Sequence, residues 1–257
     1  MAVEYQLTDQ VALVTLNRPE VFNAIDDVMS AELRDVLKVA GAEAKALVIT
    51  GAGKAFCAGA DLAALKSEYQ REVPNLLGIV TEQFNPVIEA LATLPIPTVA
   101  AVNGPAAGAG LGIALACDVR LMTDSAYLMC AFSRVGLIPD SGTTWFLTHM
   151  VGVGRALDMA LTARKIGAEE AAAVGLASRV HPPESLLAAA MEVAAGFATG
   201  PTDALVATRR LLLAASCGTL AEALSAEASE QGRLGRSPNH VEGVAAFIGK
   251  RPPQFRS

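Results

Sequence analysis

The order of apolar and polar positions along the chain predicts an α/β core in its first part. Apolar and polar residues alternate at 3–7 and 11–16, on either side of a short polar segment, which is typical of a β-hairpin. Apolar residues recur at helical spacing at 26–39 and 79–94. Short apolar runs predict buried strands at 46–50, 98–102, 119–122 and 127–129. Because strands and helices alternate, we expect βαβ-type units and a mostly parallel sheet.

From residue 140 onward the pattern becomes mainly helical, with one further strand predicted at 177–180. Helices are predicted at 140–151, 154–161, 168–174, 184–199, 202–215, 220–234 and 240–248. We therefore divide the chain into an α/β core at 1–190 and a C-terminal helical region at 191–257. The segment from 62 to 77 is irregular and polar, and it predicts a short helix followed by a mobile loop.

Composition and charge exclude several classes of protein. The 257 residues are 52% hydrophobic and 18% charged, whereas disordered chains combine low hydrophobicity with high charge. The net charge of −6 gives no electrostatic reason to bind nucleic acid, since phosphates attract clustered Lys and Arg. Glycine (22 residues) and alanine are abundant, and small side chains let backbones approach closely. This composition predicts tightly packed helices or a subunit interface.

The polar residues and the N-terminus give no sign of a metal site or a targeting segment. Four cysteines and three histidines are scattered without ligand spacing, so we expect neither a disulfide framework nor a bound metal. Residues 1–10 lack the basic and apolar parts of a secretory signal. The most apolar stretch, 98–117, is interrupted by Asn103, Pro105 and glycines, which favours a strand, a turn and a buried helix over a membrane span. We expect a cytoplasmic enzyme with no membrane partner.

Two turns rich in Gly and Ala, at 55–62 and 103–110, each lie where a strand gives way to a helix. A free backbone N–H at a helix N-terminus can bind an oxyanion, and small side chains would let a substrate carbonyl reach it. Close packing of the backbone is the alternative explanation for both turns. The glycines at 108–112 have the spacing G-x-G-x-G rather than G-x-G-x-x-G, which argues against a dinucleotide site.

Several segments together resemble the signature of the crotonase (enoyl-CoA hydratase/isomerase) superfamily. They are N-R-P at 17–19 with Asn23, A-F-C-A-G-A-D-L at 55–62, P-x-P-T-V-A-A-V-N-G at 95–104 and A-C-D at 116–118. They occur in order and at matching spacing, and the resemblance extends over nearly the whole chain. It implies the crotonase fold of repeated ββα units, with a C-terminal helical region that makes a homotrimer, or a hexamer from two trimers.

The same resemblance implies the position of an acyl-CoA site. The backbone amides of Ala60 and Ala109 would form an oxyanion hole for the thioester carbonyl, and catalysis would pass through an enolate. Coenzyme A is part of the substrate, so no separate cofactor is implied. Contacts to the substrate or its CoA fall on the remaining matched positions, which are Ala58, Asp61, Leu62, Phe132, Phe247 and Lys250. Phe247 and Lys250 would meet the adenine and a phosphate of the CoA bound to an adjacent subunit.

Departures from the superfamily pattern bear on the reaction. Hydratases use two glutamates, and these positions fall on Gly112 and Phe132, so hydration by two carboxylates is not expected. The segments at 131–145 and 227–255 resemble the ring-1,2-epoxyphenylacetyl-CoA isomerase branch of phenylacetate degradation. In that branch an aspartate at the position of Asp140 is the acid/base. Members of that branch usually have glycine at the position of Thr143. The identity of the acyl group therefore stays open.

Asp140 itself has two interpretations. It follows Pro139 and precedes a helical pattern, so it is a candidate N-cap of that helix. Alternatively, its carboxylate lies in an apolar pocket lined by Phe132, Val135, Leu137 and Trp145, where burial would raise its pKa and let it transfer protons. The sequence favours an acyl-CoA isomerase that moves a double bond or rearranges an epoxide. The alternatives are an enoyl-CoA hydratase of fatty-acid metabolism and an inactive trimer that only binds acyl-CoA.

Overall fold

The computed structural model describes residues 1–255, which form two β-sheets surrounded by helices. The larger sheet has the strand order β1-β2-β3-β4-β6-β9, in which β1 and β2 are antiparallel and the other neighbours are parallel. The smaller sheet has the order β5-β7-β8. In chain order the strands are β1 (Val3–Thr8), β2 (Val11–Leu16), β3 (Ala46–Gly51), β4 (Thr98–Val102), β5 (Ala106–Ala107), β6 (Val119–Thr123), β7 (Tyr127–Met129), β8 (Lys165–Gly167) and β9 (Arg179–His181).

Helices cover both faces of the larger sheet and continue to the C-terminal end of the described chain. They are α1 (Asp27–Glu43), α2 (Leu76–Ile79), α3 (Asn85–Ala92), α4 (Ala109–Ala116), α5 (Thr143–Thr162), α6 (Ala168–Ala173), α7 (Pro183–Ala198), α8 (Thr202–Ala215), α9 (Leu220–Leu234) and α10 (Pro238–Ile248). No helix within residues 1–255 is both long enough and apolar enough to cross a bilayer.

Strand alternation divides the core of the protein between two layers. In β3, Leu47 and Ile49 face the layer formed with α1, α3 and α4, whereas Val48 faces α7 on the other side. Both faces are therefore buried, and this explains why the strand sequence is a continuous apolar run rather than an alternating one. Helix α4 is buried along its whole length, as expected of a helix that is apolar on every side.

The predicted hairpin, the buried strands and the helical character of the later chain are confirmed, but several element boundaries were wrong. The helix predicted at 79–94 starts earlier, as α2, and passes through one π-helical turn at 80–84 before α3. The break predicted between the helices at 140–151 and 154–161 is confirmed, since Gly152 in α5 has non-helical φ and ψ of 76° and 159°, but the first of these helices begins at Thr143 rather than at 140. The short strands β5 and β8 were not predicted, because Ala106–Ala107 lie in a turn of small residues and Lys165–Gly167 contain a single buried apolar residue, Ile166.

The C-terminal helices differ in how they pack. Helix α7 covers one face of the sheet through Leu186, Ala190, Ala194 and Ala198, so the predicted division at residue 190 falls within a helix of the core. Arg209 of α8 is tied to the core by its ion pair with Asp118, 3.2 Å between Nη1 and Oδ2. Helices α9 and α10 bury little of their apolar surface on the described chain.

Candidate active site

A cavity of about 400 Å³ lies where the two turns rich in Gly and Ala meet the loops at 62–84 and 131–140. Its walls are almost entirely apolar, and Asp140 is the only carboxylate among the described residues that line it. The lining consists of Ala58, Ala60, Leu62, Leu65, Tyr69, Leu76, Leu77, Ile79, Val80, Phe84, Gly108, Ala109, Ala131, Phe132, Val135, Leu137, Ile138 and Asp140. Its size and lining are those of a site for a small, largely apolar group.

Asn23, which is buried, and Asn103, which is partly buried, hold the first turn against the ends of β3 and β4. Asn23 Nδ2 donates to the carbonyl oxygens of Ala52 (2.9 Å) and Ala55 (2.8 Å). Asn103 Oδ1 accepts from the Gly51 amide at 3.1 Å, and its Nδ2 donates to the Gly51 carbonyl at 2.8 Å. Because the backbone groups of an irregular loop are paired by these amides, the loop keeps a fixed shape inside the protein.

The amides of Ala60 and Ala109 lie on adjoining turns at the floor of the cavity. Gly59, at φ +96°, touches the second turn so closely that an added Cβ would lie 3.3 Å from Ala109 N and 2.9 Å from Ala107 O. Within residues 1–255, neither the Ala60 amide nor the Ala109 amide donates a hydrogen bond to another protein group. Both donors are therefore free for a ligand in the cavity.

The Ala109 amide has a second property that suits an anionic ligand. Ala109 is the first residue of α4, so its N–H is one of the helix-terminal donors that have no partner within the helix. The positive end of the helix dipole lies at the same point. Because α4 is buried, water does not screen that dipole as it would at the surface.

Asp140 lines the cavity and does not cap a helix. Helix α5 begins at Thr143, its N-cap residue is Gly142, and no side chain caps it. The interpretation of Asp140 as the N-cap is therefore wrong, because Ser141 and Gly142 adopt left-handed φ values of 52° and 71° and delay the helix. Burial raises the pKa of the Asp140 carboxyl, while the Ser141 hydroxyl, donating to Oδ1 at 2.8 Å, acts in the opposite direction.

The two positions where hydratases have glutamates cannot supply a carboxylate here. A Cβ on Gly112 would lie 2.4 Å from Ser141 O and 2.8 Å from Ser141 Cβ, so the segment after Asp140 occupies the space of a side chain. Phe132 fills the second position as a buried, cavity-lining ring. The absence of a side chain at Gly112 and the position of the segment after Asp140 are therefore coupled through direct packing.

The other predicted site residues lie in different surroundings. Ala58, Leu62 and Phe132 line the cavity. Asp61 does not, because its Oδ2 lies 2.9 Å from Arg18 Nη2 and its Oδ1 accepts the amides of the next loop. Burial alone would raise the pKa of Asp61, but the Ala64 amide and Arg18 outweigh it and keep the pKa below its usual range.

Three further predicted residues lie away from the cavity. Phe247 is 86% exposed at the end of α10, and Lys250 follows it on the surface. Neither touches the cavity of its own chain, as expected if each meets the ligand of another subunit. Trp145 was expected in the lining but instead stacks on His149, with 4.1 Å between ring centroids. The prediction for Trp145 is wrong because the late start of α5 turns that residue outward.

The segment from 62 to 84 supplies the lining residues that the sequence did not identify individually. Leu65, Tyr69, Leu76, Leu77, Ile79, Val80 and Phe84 all come from it. For 62–77 the sequence indicated only an irregular segment, since no periodic pattern shows which of its side chains point inward, whereas Ile79, Val80 and Phe84 belong to the helix predicted at 79–94. The signal was the density of apolar residues in a segment that is otherwise polar.

Other chemistries lack the side chains they need. No group of three or more His, Cys, Asp or Glu side chains in residues 1–255 is arranged to hold a metal ion. Cys57, in the first of the two turns, at 55–62, is buried, and burial raises the pKa of its thiol to about 12. It therefore remains a neutral thiol at physiological pH and is a poor nucleophile.

Removal of the Ser141 hydroxyl is expected to shift the pH dependence of turnover. The hydroxyl stabilises the charged form of Asp140, so Ser141→Ala should raise the pKa of that carboxyl further. Activity that requires the carboxylate then declines at a higher pH on the acidic side. Ser141→Gly is the matched variant, since it also removes the hydroxyl but relieves the left-handed φ of 52°. Acidic limbs of kcat/KM that stay unchanged in both variants would show that the hydroxyl has no such effect.

Comparison with known proteins supports one family. The family model for enoyl-CoA hydratase/isomerase matches residues 6–257. A "probable enoyl-CoA hydratase" of Rhodobacter capsulatus is 44% identical over 253 residues, covering 98% of this chain and 97% of that protein. The 1,2-epoxyphenylacetyl-CoA isomerase of Escherichia coli is 40% identical over 247 residues, covering 95% and 94%. The crystal structure of an enoyl-CoA hydratase from Polaromonas sp. JS666 superposes with a TM-score of 0.94 at 33% identity, covering 100% of both chains. The chain therefore belongs to the enoyl-CoA hydratase/isomerase family and has the crotonase fold.

Proposed function

We propose that this protein is an acyl-CoA isomerase in which Asp140 is the acid/base. The observation that carries the proposal is an apolar cavity in which the described residues supply one carboxylate and two floor amides without a protein partner in residues 1–255. Such a site can acidify a carbon next to a thioester carbonyl and then move the released proton. Members of this family act on acyl-CoA esters, so the thioester is the group that the two amides are proposed to bind.

The proposed reaction begins when the thioester oxygen accepts hydrogen bonds from Ala60 N and Ala109 N. Negative charge builds on that oxygen as the Asp140 carboxylate removes a proton from the adjacent carbon. Each preorganised donor lowers such a barrier by about 3 kcal/mol. The protonated Asp140 then returns the proton to another carbon of the conjugated enolate, which shifts the double bond. An epoxide on the acyl group would be rearranged from the same oxyanion-stabilised state.

Isomerisation is preferred over hydration because hydration needs groups that deprotonate the attacking water and deliver a proton to the carbon next to the thioester carbonyl. Gly112 has no space for a side chain, and Phe132 places an apolar ring at the other position. The similarity to a 1,2-epoxyphenylacetyl-CoA isomerase supports a bulky acyl group and a place in phenylacetate degradation. The similarity to a protein described as a probable hydratase keeps hydration as the second candidate, which would need an unusual acid/base arrangement.

We also propose that the chain assembles as a homotrimer, or as a hexamer of two trimers, in the cytoplasm. Helices α9 and α10 expose large apolar side chains that nothing in the described chain covers. These are Leu224, Val241, Val244, Phe247 and Ile248. Apolar surface of this kind marks a protein interface. In such an assembly Phe247 and Lys250 would reach the CoA of the neighbouring subunit.

The test is to incubate the purified protein with CoA esters, to separate products from unreacted ester by liquid chromatography, and to weigh each by mass spectrometry, so that an isomer appears as a new peak of unchanged mass. The set contains a β,γ-unsaturated ester, an α,β-unsaturated ester and the ring epoxide of phenylacetyl-CoA. Isomerisation rearranges atoms without changing the mass, whereas hydration adds one water. We expect a product of unchanged mass from the first or the third ester. A product heavier by one water would support the hydratase, and binding of every ester without turnover would support an inactive acyl-CoA-binding protein.

A further inference from the structure

A cysteine and a histidine that are distant in sequence meet on the surface, away from the proposed active site. Cys217, in the turn between α8 and α9, is exposed, and its Sγ lies 3.4 Å from Nε2 of His149 on α5. Ser216 Oγ lies 3.6 Å from the same sulfur. The pair therefore combines a potential nucleophile and a base at hydrogen-bond distance, which is the arrangement that activates a thiol.

The surroundings of His149 fix the role of each ring nitrogen. Nδ1 lies 2.7 Å from the carbonyl oxygen of Trp145, and a carbonyl oxygen can only accept. Nδ1 therefore carries a hydrogen, which leaves Nε2 of the neutral ring as the acceptor that faces Cys217. The Trp145 ring stacks on the imidazole at 4.1 Å with an interplanar angle of 29°, and an aromatic face favours the protonated form of the imidazole.

The other cysteines differ from Cys217 in their exposure to solvent and in the pKa of their thiols. Cys57, Cys117 and Cys130 are buried. Burial raises their thiol pKa values to about 12, 12 and 11. Hydrogen bonds with Ser216 and His149 instead lower the pKa of Cys217. The nearby carboxylate of Glu222 is turned toward the Thr219 amide and hydroxyl, both at 2.8 Å from Oε2.

We propose that Cys217 and His149 form a surface thiol site that exchanges with low-molecular-weight disulfides. The Cys217 thiolate attacks one sulfur of the disulfide, a bond forms between them, and the S–S bond of the reagent breaks. The departing sulfur leaves with the bonding electron pair as a thiolate, and the proton that His149 Nε2 took from the Cys217 thiol passes to that thiolate or to water. Cys217 is thereby oxidised to a mixed disulfide and one thiol is released, and a second thiol reverses the exchange.

The experiment treats the native, assembled protein with dithiobis(nitrobenzoate) and follows the released thiolate, with peptide mapping of the product. We expect one equivalent to react rapidly, at Cys217, and Cys217→Ser to remove that phase. His149→Gln should slow it at neutral pH at least about threefold, because the thiolate fraction falls more than the nucleophilicity rises. At alkaline pH, where the thiol ionises without help, the rates of His149→Gln and the unmodified chain should converge.

A second readout uses the fact that the chain has a single tryptophan, Trp145. Mixed-disulfide formation removes the thiolate partner of His149, so the fluorescence of Trp145 should change on reaction and return with dithiothreitol. Cys217→Ser should show no change. Equal neutral-pH rates in His149→Gln and the unmodified chain, or modification at another cysteine, would overturn the proposal. A difference in rate that persists at alkaline pH would also overturn it, since access rather than ionisation would then be responsible.

Discussion

Replacement of Asp140 by asparagine should reduce turnover of the acyl-CoA substrate by about 10²- to 10⁴-fold, the range for loss of a general acid/base. Asparagine keeps the size of the side chain but cannot accept or return a proton. The substitution leaves the backbone amides of Ala60 and Ala109 in place, so the affinity for the CoA ester should stay close to that of the unmodified chain. Steady-state kinetics and calorimetric titration with the ester measure the two effects separately.

The ionisation of Asp140 also predicts the direction of two pH effects. Because burial raises the pKa of the carboxyl, kcat/KM should rise with pH through a value above that of an ordinary aspartate and then level off. A group with a raised pKa in the folded state stabilises the fold only while it is protonated. Asp140→Asn should therefore unfold at the same or a higher temperature than the unmodified chain at neutral pH, with the difference lost in acid.

The control for Asp140→Asn is Asp124→Asn, which changes an exposed carboxylate outside the cavity. It should leave both turnover and the pH profile unaltered. If Asp140→Asn retained the turnover of the control, the proposed role of Asp140 as acid/base would be wrong. If it lost turnover together with ester binding and thermal stability, the residue would be structural instead.

Replacement of Ala109 by proline should lower kcat by about 10²- to 10³-fold, the effect of losing one oxyanion donor. Proline has no N–H, because its ring carbon takes the place of the amide hydrogen on the backbone nitrogen. The helix should tolerate it, since Ala109 is the first residue of α4 and its N–H has no partner in the helix. Gly108, at φ 54° and ψ −127°, avoids the α region that a following proline disfavours.

The matched variant is Ala109→Gly, which keeps the amide and alters only the small side chain. It should retain turnover within severalfold of the unmodified chain, and both variants should keep the helical circular dichroism of the parent. Equal turnover in the folded proline and glycine variants would show that the Ala109 amide does not stabilise the transition state. Loss of folding in the proline variant alone would be visible in the same spectra.

Much of the fold and part of the site could be predicted from the sequence because local pattern carries that information. The buried strands at 46–50 and 98–102 are apolar on both faces, and the turns that follow them contain residues small enough to expose an amide. The segment at 62–77 could not be resolved into inward and outward side chains, because its sequence shows no periodic pattern and it folds as a 3₁₀ helix at 64–70, a loop and the start of α2. Which of its side chains face the cavity depends on packing against residues distant in sequence.

The region around Asp140 marks the limit of local reasoning most clearly. A cap and a buried acid have the same sequence signature, since both place Asp just before a helical pattern. The left-handed residues Ser141 and Gly142 decide between them by moving the start of α5 to Thr143. That shift also explains why Trp145 lies outside the cavity, in contact with His149.

The sequence by itself predicted the buried strands and helices of the α/β core and two turns of small residues, and its resemblance to the superfamily pattern placed Gly112 and Phe132 at the hydratase glutamate positions. The elements and the turns depend on hydrophobic periodicity and residue size, which act within a few positions of the chain. Only the tertiary structure decided that Ser141 occupies the space beside Gly112, that Gly59 brings the two amides together, and that His149 meets Cys217. These contacts join residues far apart in sequence, and packing in three dimensions, rather than local pattern, determines which of them form.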